Sequence, residues 1–519
     1  MKFNVHLLAL VLFSTGAGTA APDPLALYRE HRAGCHGAER LGGMGPALPE
    51  NLGCCASPTR SPSSSKRFRT ATQMPGFAAK LNAAEAQALA DYLYTAPATP
   101  PRWEADDIRA SQLVPYPPGS LGDKPVFAAE DLLDLFIVVE TGDHHATLLD
   151  GKRLEPIHRF PTRYALHGGP KFSPDGRYVY FCSRDGWISK FDIYNLKTVA
   201  EIRAGINARN LALAADGRTV MVANYLPHTL VALDATDLAL LKVIPVADAQ
   251  GKSSRVSAVY AAPPRHSFIA ALKDLKELWE IPYDDQAEPI YTGIMHDYRA
   301  ESGEAPPLAR EPFPVRRIAL DDYLDDFFFD PGYQNLIGAA RDGGKGQVIN
   351  LIVGRPIATL ALPGLPHLGS GISWDYQGQT VMATPNLKEG VVSVIDTKTW
   401  QVLKRIDTLG PGFFLRSHDN TPYAWVDASL SNSKDTVQLI DKRTLEVART
   451  LTPMPGKTAA HVEFSRDGHY ALLSIAEDDG ALVVYDTTTL AEVKRIPMRK
   501  PSGKYNVYNK ITLSAGTSH

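Results

Sequence analysis

The sequence is poor in cysteine, in basic runs and in long apolar runs. It has four cysteines among 519 residues and a net charge of −3, and no basic run stands out. Nucleic-acid binding needs a basic patch, so we do not expect nucleic acid as a main partner. After the first 21 residues, no segment approaches the roughly 18 apolar residues of a membrane-spanning helix, and we predict no membrane span.

The N-terminus has the composition of a signal peptide. Lys2 supplies a positive charge, residues 5–13 are apolar, and residues 18–21 offer a small-residue cleavage site. The apolar run is too short to span a bilayer. We therefore predict cleavage near Ala20 and Ala21 and export to the periplasm; an uncleaved N-terminal anchor is the alternative.

The mature chain divides into two regions of different periodicity. Residues 22–98 show helical spacing, and Asn82 followed by Glu85 fits a helix N-terminus with a capping box. Residues 99–127 are rich in proline and have the composition of a linker. From residue 128 to 519, short apolar runs alternate with turns, which predicts a large domain made mainly of β-strands.

The β region carries an internal repeat. An aspartate closes an apolar strand at regular intervals, at Asp192, Asp234, Asp396, Asp441 and Asp486. The first two are 42 residues apart and the last three are 45 apart. A four-stranded propeller blade takes that length, and it must stack on neighbouring blades to bury both faces. A stretch of about 390 residues therefore predicts an eight-bladed β-propeller, with seven blades as the alternative.

Cys35 and His36 predict a c-type haem site in the N-terminal region. Such a site needs a cysteine thiolate that adds to a haem vinyl group, followed directly by a histidine that binds the iron. The usual signature has another cysteine three residues earlier, where this chain has Arg32. We therefore expect a single thioether through Cys35 in a small α-helical cytochrome c domain. Met74 is the expected second axial ligand, and Met44 is the alternative.

The whole pattern resembles the cytochrome cd1 nitrite reductase family. The resemblance is carried by four motifs, YALHGG at 164–169, GINARN at 205–210, PHLGSG at 366–371 and GKYNVYN at 503–509. The compact N-terminal domain is more similar to the biosynthetic branch of the family. That branch implies a periplasmic dihydro-haem d1 dehydrogenase. It would oxidise a propionate of the precursor to an acrylate, the last step of haem d1 synthesis, and pass electrons to the c haem.

The resemblance also implies roles for five residues around a non-covalently bound haem d1 or dihydro-haem d1. His167 matches the proximal iron ligand, and His367 matches the first of two distal histidines and is expected to reach the iron. His418 matches the second distal histidine. His461 and Tyr505 would lie beside the propionate that is oxidised.

The chemistry of the reaction agrees with these residue types. Haem d1 carries several carboxylates, and arginines bind carboxylates through paired hydrogen bonds, so Arg184 and Arg209 at blade turns are candidate contacts. Removal of two hydrogens needs a base for a proton and an acceptor for two electrons. Histidine suits the base because its ordinary pKa lies near neutrality, and the d1 iron with the c haem would take the electrons.

Two other functions fit the same motifs. A nitrite reductase would use His367 and His418 to protonate bound nitrite, and a non-enzymatic carrier would only hold haem d1. The missing cysteine at Arg32 mildly favours weakened electron transfer. For the dehydrogenase, the expected partners are the tetrapyrrole substrate, a cytochrome cd1 nitrite reductase that receives the product, and a periplasmic electron acceptor.

Overall fold

A computed structural model of the protein describes residues 22–38, 40–41, 80–93, 95, 101–287, 311–340, 345–362, 364–514 and 516–517. The chain divides into two compact units, Met1–Arg40 with Leu48–Pro100, and Leu41–Ala47 with Pro101–His519. None of the helices in the described ranges is long and apolar enough to cross a membrane.

The described part of the first unit is helical. Its helices are α1 (Pro24–His31), α2 (Ala33–His36) and α3 (Ala83–Leu93). Asn82 and Glu85 cap α3 reciprocally, because each backbone N–H donates to the other side chain at 2.8 and 3.0 Å, as the capping-box pattern predicts. Tyr28 of α1 and Leu89 of α3 are fully buried and belong to one small apolar cluster.

The described residues of the second unit form eight four-stranded antiparallel sheets. This confirms the predicted eight-bladed β-propeller and rules out the seven-bladed alternative. Blade 1 consists of β1 (Leu135–Glu140), β2 (His145–Asp150), β3 (Glu155–Pro161) and β32 (Pro501–Asn506). Blade 2 consists of β4 (Lys171–Phe172), β5 (Tyr178–Cys182), β6 (Trp187–Asp192) and β7 (Lys197–Arg203). Blade 3 consists of β8 (Asn207–Leu213), β9 (Thr219–Leu226), β10 (Thr229–Asp234) and β11 (Leu240–Pro245).

The remaining blades follow in chain order. Blade 4 consists of β12 (Val256–Ala262), β13 (Ser267–Leu272), β14 (Glu277–Pro282) and β15 (Arg316–Ala319). Blade 5 consists of β16 (Leu324–Phe329), β17 (Asn335–Ala340), β18 (Lys345–Asn350) and β19 (Arg355–Ala361). Blade 6 consists of β20 (Ile372–Tyr376), β21 (Gln379–Thr384), β22 (Val391–Asp396) and β23 (Gln401–Asp407). Blade 7 consists of β24 (Leu415–Arg416), β25 (Tyr423–Asp427), β26 (Val437–Asp441) and β27 (Glu446–Leu451). Blade 8 consists of β28 (Ala459–Phe464), β29 (Tyr470–Ile475), β30 (Gly480–Asp486) and β31 (Glu492–Met498).

Short helices complete the described elements of the second unit. They are α4 (Ala105–Ala110), α5 (Val507–Ile511) and the 3-10 helices Pro263–Arg265 and Leu368–Ser370. The inner strand of a blade contacts the inner strand of its neighbour, as β4 contacts β8, β8 contacts β12 and β28 contacts β32. These strands therefore surround the axis of the propeller.

The last strand of the chain closes the propeller. β32 pairs antiparallel with β1, with Tyr505 opposite Ile137 and Lys504 opposite Val138. The C-terminal strand is thus the inner strand of blade 1, and closure leaves no free sheet edge there. As a consequence, Tyr505 reaches the axis next to residues of blade 8.

The repeated aspartates have a local structural cause. Asp192 ends the third strand of blade 2 and accepts a hydrogen bond from the backbone N–H of Tyr194 at 2.9 Å. In blade 8, Asp486 accepts a hydrogen bond from the backbone N–H of Thr488, also at 2.9 Å. This side-chain turn leads each blade into its outer strand. Gly176, between the first two strands of blade 2, has φ +74°, a conformation that glycine adopts without strain.

Part of the predicted linker, residues 99–127, packs on the propeller. Trp103 donates its indole N–H to the carbonyl of Arg203 at 2.9 Å. Ile108 of α4 is 1% exposed and joins the apolar cluster between blades 2 and 3. This connection is therefore fixed to the propeller at these residues, which its proline-rich composition does not predict.

Candidate active site

The inner strands enclose a cavity of about 310 Å³, to which all eight blades contribute. Its volume lies at the lower end of the roughly 300–1,000 Å³ of ligand pockets. The residues with ionisable or basic side chains in its wall are His167, Cys182, Arg209, Tyr260, Asp326, His367, Arg416, His461 and Tyr505. The cavity therefore brings together most of the propeller residues that the sequence singles out.

His167, just before β4, has the tautomer of a metal ligand. Its Nδ1 donates to the carbonyl of Arg209 at 2.7 Å, so Nε2 carries the lone pair. Burial lowers the pKa of His167 well below its usual value, and the charges of Arg209 and Arg184 lower it further. Nε2 accepts a hydrogen bond from Arg209 Nη1 at 2.7 Å. An iron at Nε2 would require this guanidinium to move aside.

The imidazole of His367, in blade 6, is held in the same tautomer as that of His167. It precedes the 3-10 helix Leu368–Ser370, and its Nδ1 donates to the carbonyl of Phe413 at 2.6 Å. Burial lowers the pKa of His367. Phe413 and Phe414 contact the ring edge to face, with centroids 5.7 and 6.3 Å away. The contacts hold a neutral imidazole whose Nε2 is available as a ligand.

The two predicted arginines occupy different positions. Arg209 lines the cavity, and its Nε donates to the carbonyl of Ser257 at 2.9 Å. Arg184 is not among the lining residues; its guanidinium lies 5.9 Å from the ring centroid of Tyr225. Because its charge contributes to the lowered pKa of His167, Arg184 lies beside the cavity rather than in its wall.

His461 lies in the part of the wall formed by blade 8, at a bulge of β28 between Ala460 and Val462. Its φ of +52° is unusual for a residue with a side chain, and it is 1% exposed. Its ring meets those of Phe414 and Tyr505 edge to face, with centroids 4.6 and 5.2 Å away. Among the described residues, the buried Nε2 of His461 has no hydrogen-bond partner. The Nδ1 of the same ring lies 3.5 Å from Lys504 Nζ. The ring thus keeps one nitrogen without a partner in the described part of the site.

The neighbours of His461 favour its neutral form. Burial lowers the pKa of His461 well below its usual value, and the nearby Lys504 lowers it further. Lys504 is fully buried; its Nζ donates to the carbonyl of His461 and to Ser474 Oγ. Burial raises the pKa of Tyr505 to about 12, so that phenol stays protonated. A neutral imidazole and a protonated phenol thus face one side of the cavity.

His418 does not join this site. Its Nδ1 accepts a hydrogen bond from the backbone N–H of Asn420 at 3.1 Å, and its Nε2 donates to the carbonyl of Arg466 at 3.3 Å. The inner strand β24 ends at Arg416, so His418 falls in the turn towards β25 and outside the cavity wall. The role expected for His418 on the distal side of the ring stays a prediction.

The structure adds site residues that the sequence analysis did not identify. Tyr260 donates its hydroxyl to Asp326 Oδ1 at 3.0 Å, and Asp326 Oδ2 accepts the N–H of Gly369 at 3.1 Å. Lys504 lies within the GKYNVYN motif, in which Tyr505 is the residue that was assigned a role, and Arg416 lies two residues before His418. No local pattern marks Asp326, because the contacts that place it come from other blades.

The c-haem prediction is only partly covered by the described residues. Cys35 and His36 share one turn of α2, and His36 is buried with 6% exposure. The side chain of Cys35, Met44 and Met74 lie outside the described residues, as does the predicted signal peptide. The single thioether and the methionine ligand therefore stay predictions.

Comparisons with known proteins agree with this architecture. The family model described as "Cytochrome D1 heme domain" matches residues 130–299 and 308–510. The "Dihydro-heme d1 dehydrogenase" of Pseudomonas aeruginosa is 56% identical over 513 residues, 99% of this chain and 99% of that protein. The "Nitrite reductase" of Stutzerimonas stutzeri is 23% identical over 558 residues, with 95% of each protein covered.

A solved structure extends the likeness to three dimensions. The structure described as "Dihydro-heme d1 dehydrogenase NirN in complex with DHE" gives a TM-score of 0.84 at 56% identity, covering 94% of this chain and 100% of that chain. The segments matched by the family model contain every residue of the cavity wall. From this match and from the full-length similarity, the chain belongs to the cytochrome d1 heme domain family.

Proposed function

We propose that the protein is a periplasmic dihydro-haem d1 dehydrogenase, which oxidises a propionate side chain of its tetrapyrrole substrate to an acrylate. The observation that carries this proposal is the buried His461 imidazole, with an unpaired nitrogen, beside Tyr505 in a cavity that also holds two ligand-type histidines. The relative of that name is 56% identical along the whole chain, against 23% for the nitrite reductase.

The cavity offers contacts for both the iron and the carboxylates of the substrate. His167 and His367 have the neutral tautomer that presents Nε2 to a metal, and they project from different blades into one space. Arg209, which lies against His167, would turn towards a substrate carboxylate when the imidazole binds iron. Its planar guanidinium can donate two parallel hydrogen bonds to such a group.

The side-chain chemistry assigns a proton acceptor to this chain. Conversion of a CH2–CH2 unit to CH=CH removes two protons and two electrons. His461 is neutral, and its imidazole would accept one of the protons, a task that a base performs only in its unprotonated form. The second proton would be released to solvent. Tyr505 would keep the ring of His461 in place and donate a hydrogen bond within the site, since its phenol stays protonated.

The two electrons need an acceptor outside the propeller. A c haem, when bound, accepts one electron at a time and passes it to a periplasmic partner. Cys35 and His36 provide the adjacent thiol and imidazole for such a haem. We expect Cys35→Ser to abolish covalent haem and Arg32→Cys to add a second thioether, as read from haem staining after denaturing electrophoresis and from the pyridine haemochrome spectrum. Wild-type protein without haem stain would contradict the cytochrome assignment.

The geometry favours the dehydrogenase over the two alternatives. A nitrite reductase mechanism needs two histidines on the distal side, whereas the cavity offers His367 and the ring nitrogens of His418 are engaged elsewhere. A pure carrier has no use for an unpaired imidazole nitrogen, whose burial costs stability. The product, haem d1, would pass to a cytochrome cd1 nitrite reductase.

The test is to incubate the purified haem-loaded protein with dihydro-haem d1 and a one-electron oxidant, and to follow absorbance. In parallel, nitrite consumption is measured with a reduced donor. We expect conversion of the precursor and no rapid loss of nitrite. Rapid nitrite consumption without conversion would establish the reductase instead, and tight binding of haem d1 with neither activity would establish the carrier.

A further inference from the structure

Arg416 is a buried arginine of the cavity wall whose charge has no anionic partner among the described residues. It is 3% exposed and ends the inner strand of blade 7. Its Nη1 donates to the carbonyl of Leu415 at 2.8 Å, and its buried Nε has no hydrogen-bond partner there. The guanidinium is therefore left with donors that the folded protein does not use.

Two part-buried arginines elsewhere in the propeller are paired with carboxylates. Arg163 Nη2 lies 2.6 Å from Glu201 Oε2, and Arg265 lies 2.8 Å from Glu280 Oε1. Such pairing is expected, because a buried charge without a counter-charge is unfavourable. At Arg416, a ligand that carries an anion would complete the set of contacts.

The acidic groups near Arg416 form hydrogen bonds with other residues, although Glu463 Oε2 has no partner among the described residues. Glu463 accepts hydrogen bonds from Asn509 Nδ2 at 3.3 Å and from the N–H of Phe464 at 3.1 Å. Asp427 accepts the backbone N–H of Phe414 at 2.8 Å, among other donors. Both carboxylates act on Arg416 through their charge, but neither forms a hydrogen bond with it. The guanidinium thus remains available to the cavity.

The position of Arg416 relates it to the proton acceptor. Its Cζ lies 5.6 Å from the ring centroid of Phe414, and that ring lies 4.6 Å from the ring of His461. The charge of Arg416 also contributes to the lowered pKa of His461. The ring of Phe414 thus contacts both side chains, and an anion bound by Arg416 would lie near the imidazole of His461.

We propose that Arg416 binds the carboxylate of the propionate that is oxidised, an inference that rests on the proposed function. The planar guanidinium fixes a carboxylate by two hydrogen bonds, which places the adjoining CH2–CH2 unit beside His461 Nε2. It also offsets the negative charge of the carboxylate, so that removal of a proton from the neighbouring carbon becomes easier. Arg416 is then a substrate-binding residue of the reacting side chain.

The test compares two ligands in wild-type protein and in Arg416→Met. The first is dihydro-haem d1, the acid, and the second is its ester, in which the propionate that is oxidised carries a methyl group. Methionine keeps the length and the apolar contacts but removes the charge and the donors. We expect the affinity for the acid to fall about 10- to 100-fold, the worth of charge-assisted hydrogen bonds, and the affinity for the ester to change far less. Arg449→Met, an exposed position on β27 of the same blade, is the control and should change neither.

The value of kcat at a saturating concentration of dihydro-haem d1 shows whether Arg416 binds the carboxylate of the reacting side chain or a remote carboxylate. If Arg416 holds the reacting group, kcat of Arg416→Met should fall about 100-fold, because the CH2–CH2 unit is displaced from the base. An equal loss of affinity for acid and ester would overturn the proposal, and so would unchanged kcat. If Arg416→Met does not fold in thermal unfolding, Arg416→Lys, which keeps the charge without the planar fork, is read in the same way.

The same measurements distinguish the proposal from the proposed function. If wild-type protein converts no dihydro-haem d1, the dehydrogenase assignment fails. The binding comparison of acid and ester still reports whether Arg416 contacts a carboxylate. Conversion by the wild type together with equal effects on acid and ester would leave the dehydrogenase intact and remove Arg416 from substrate binding.

Discussion

The two sides of the cavity differ in whether the protein already satisfies their polar atoms. We call the first side the binding wall, formed by His167, Arg209, Tyr260 and Asp326 of blades 2 to 5. We call the second side the reactive wall, formed by Phe414, Arg416, His461 and Tyr505 of blades 7, 8 and 1. On the binding wall, each polar side chain is hydrogen-bonded to another blade. On the reactive wall, the buried Nε atom of Arg416 and the Nε2 atom of His461 have no partner among the described residues.

This difference suggests a division of labour. Groups that are already paired are held in place before a ligand binds, which suits a binding site for a large ring. Buried groups that lack a partner cost stability, and proteins retain them where a ligand or a reaction uses them. The binding wall would therefore contribute to affinity, and the reactive wall would set the rate of the chemical step, with Arg416 contributing to affinity as well.

The largest effect is expected from His461→Ala. Loss of the proton acceptor should lower kcat by about 10²- to 10⁴-fold, the usual worth of a positioned base. Binding should be nearly unchanged, because His167 and Arg209 lie on the binding wall and His367 comes from blade 6. Steady-state conversion of dihydro-haem d1 and a spectroscopic binding titration measure the two quantities. A loss of affinity as large as the loss of kcat would erase the distinction between the walls.

The opposite result is expected from Arg209→Gln on the binding wall. This change removes a charge that would hold a substrate carboxylate, and the donor that contacts His167. Affinity for dihydro-haem d1 should fall about 10- to 100-fold, with kcat at saturation close to that of the wild type. If kcat falls and affinity stays, Arg209 belongs to the chemistry and the comparison is wrong.

The pH dependence of stability tests whether His461 is neutral in the folded protein. Unfolded histidine gains a proton below about pH 6.5, whereas the folded state, with its lowered pKa, does not. The free energy of unfolding should therefore decrease as the pH falls below 6.5. Between pH 7.5 and 5.0, the wild type should lose about 2 kcal/mol more than His461→Gln in urea unfolding. Parallel losses in the two proteins would show that His461 is protonated when folded.

The smallest effect is expected from Tyr505→Phe. The ring that contacts His461 is kept, and only a hydroxyl is removed. The loss of one hydrogen bond predicts a fall in kcat of about 3- to 10-fold without a change in stability. A loss as large as that of His461→Ala would give the phenol a direct part in proton transfer.

The fold was predictable from the sequence because its signals are local. Asp192 and Asp486 close turns with residues two positions away, so their spacing reveals the length and the number of the blades. The structure brings His167, His367 and His461 to one cavity. Each of them lies in an inner strand or shortly before the first strand of its blade.

The remaining features depend on contacts between distant segments. Lys504 meets His461 only because β32 returns to close blade 1, and the position of Arg416 in the cavity depends on blades 7, 8 and 1 together. His418 was expected on the same side of the ring as His367 from the family resemblance; β24 ends two residues before it, which places it in the turn towards β25. Whether a buried atom has a partner is a property of the packed structure alone.

The central claim is that the chemical step depends on the reactive wall and not on the binding wall, and a single-turnover experiment tests it most directly. Dihydro-haem d1 is bound in excess protein, an oxidant is added by rapid mixing, and the conversion rate is compared with the dissociation constant for wild type, His461→Ala and Arg209→Gln. We predict a crossed result, in which His461→Ala converts slowly but binds well, and Arg209→Gln binds weakly but converts at the wild-type rate once saturated. Equal damage to both quantities in both variants would contradict the division of the cavity into two walls.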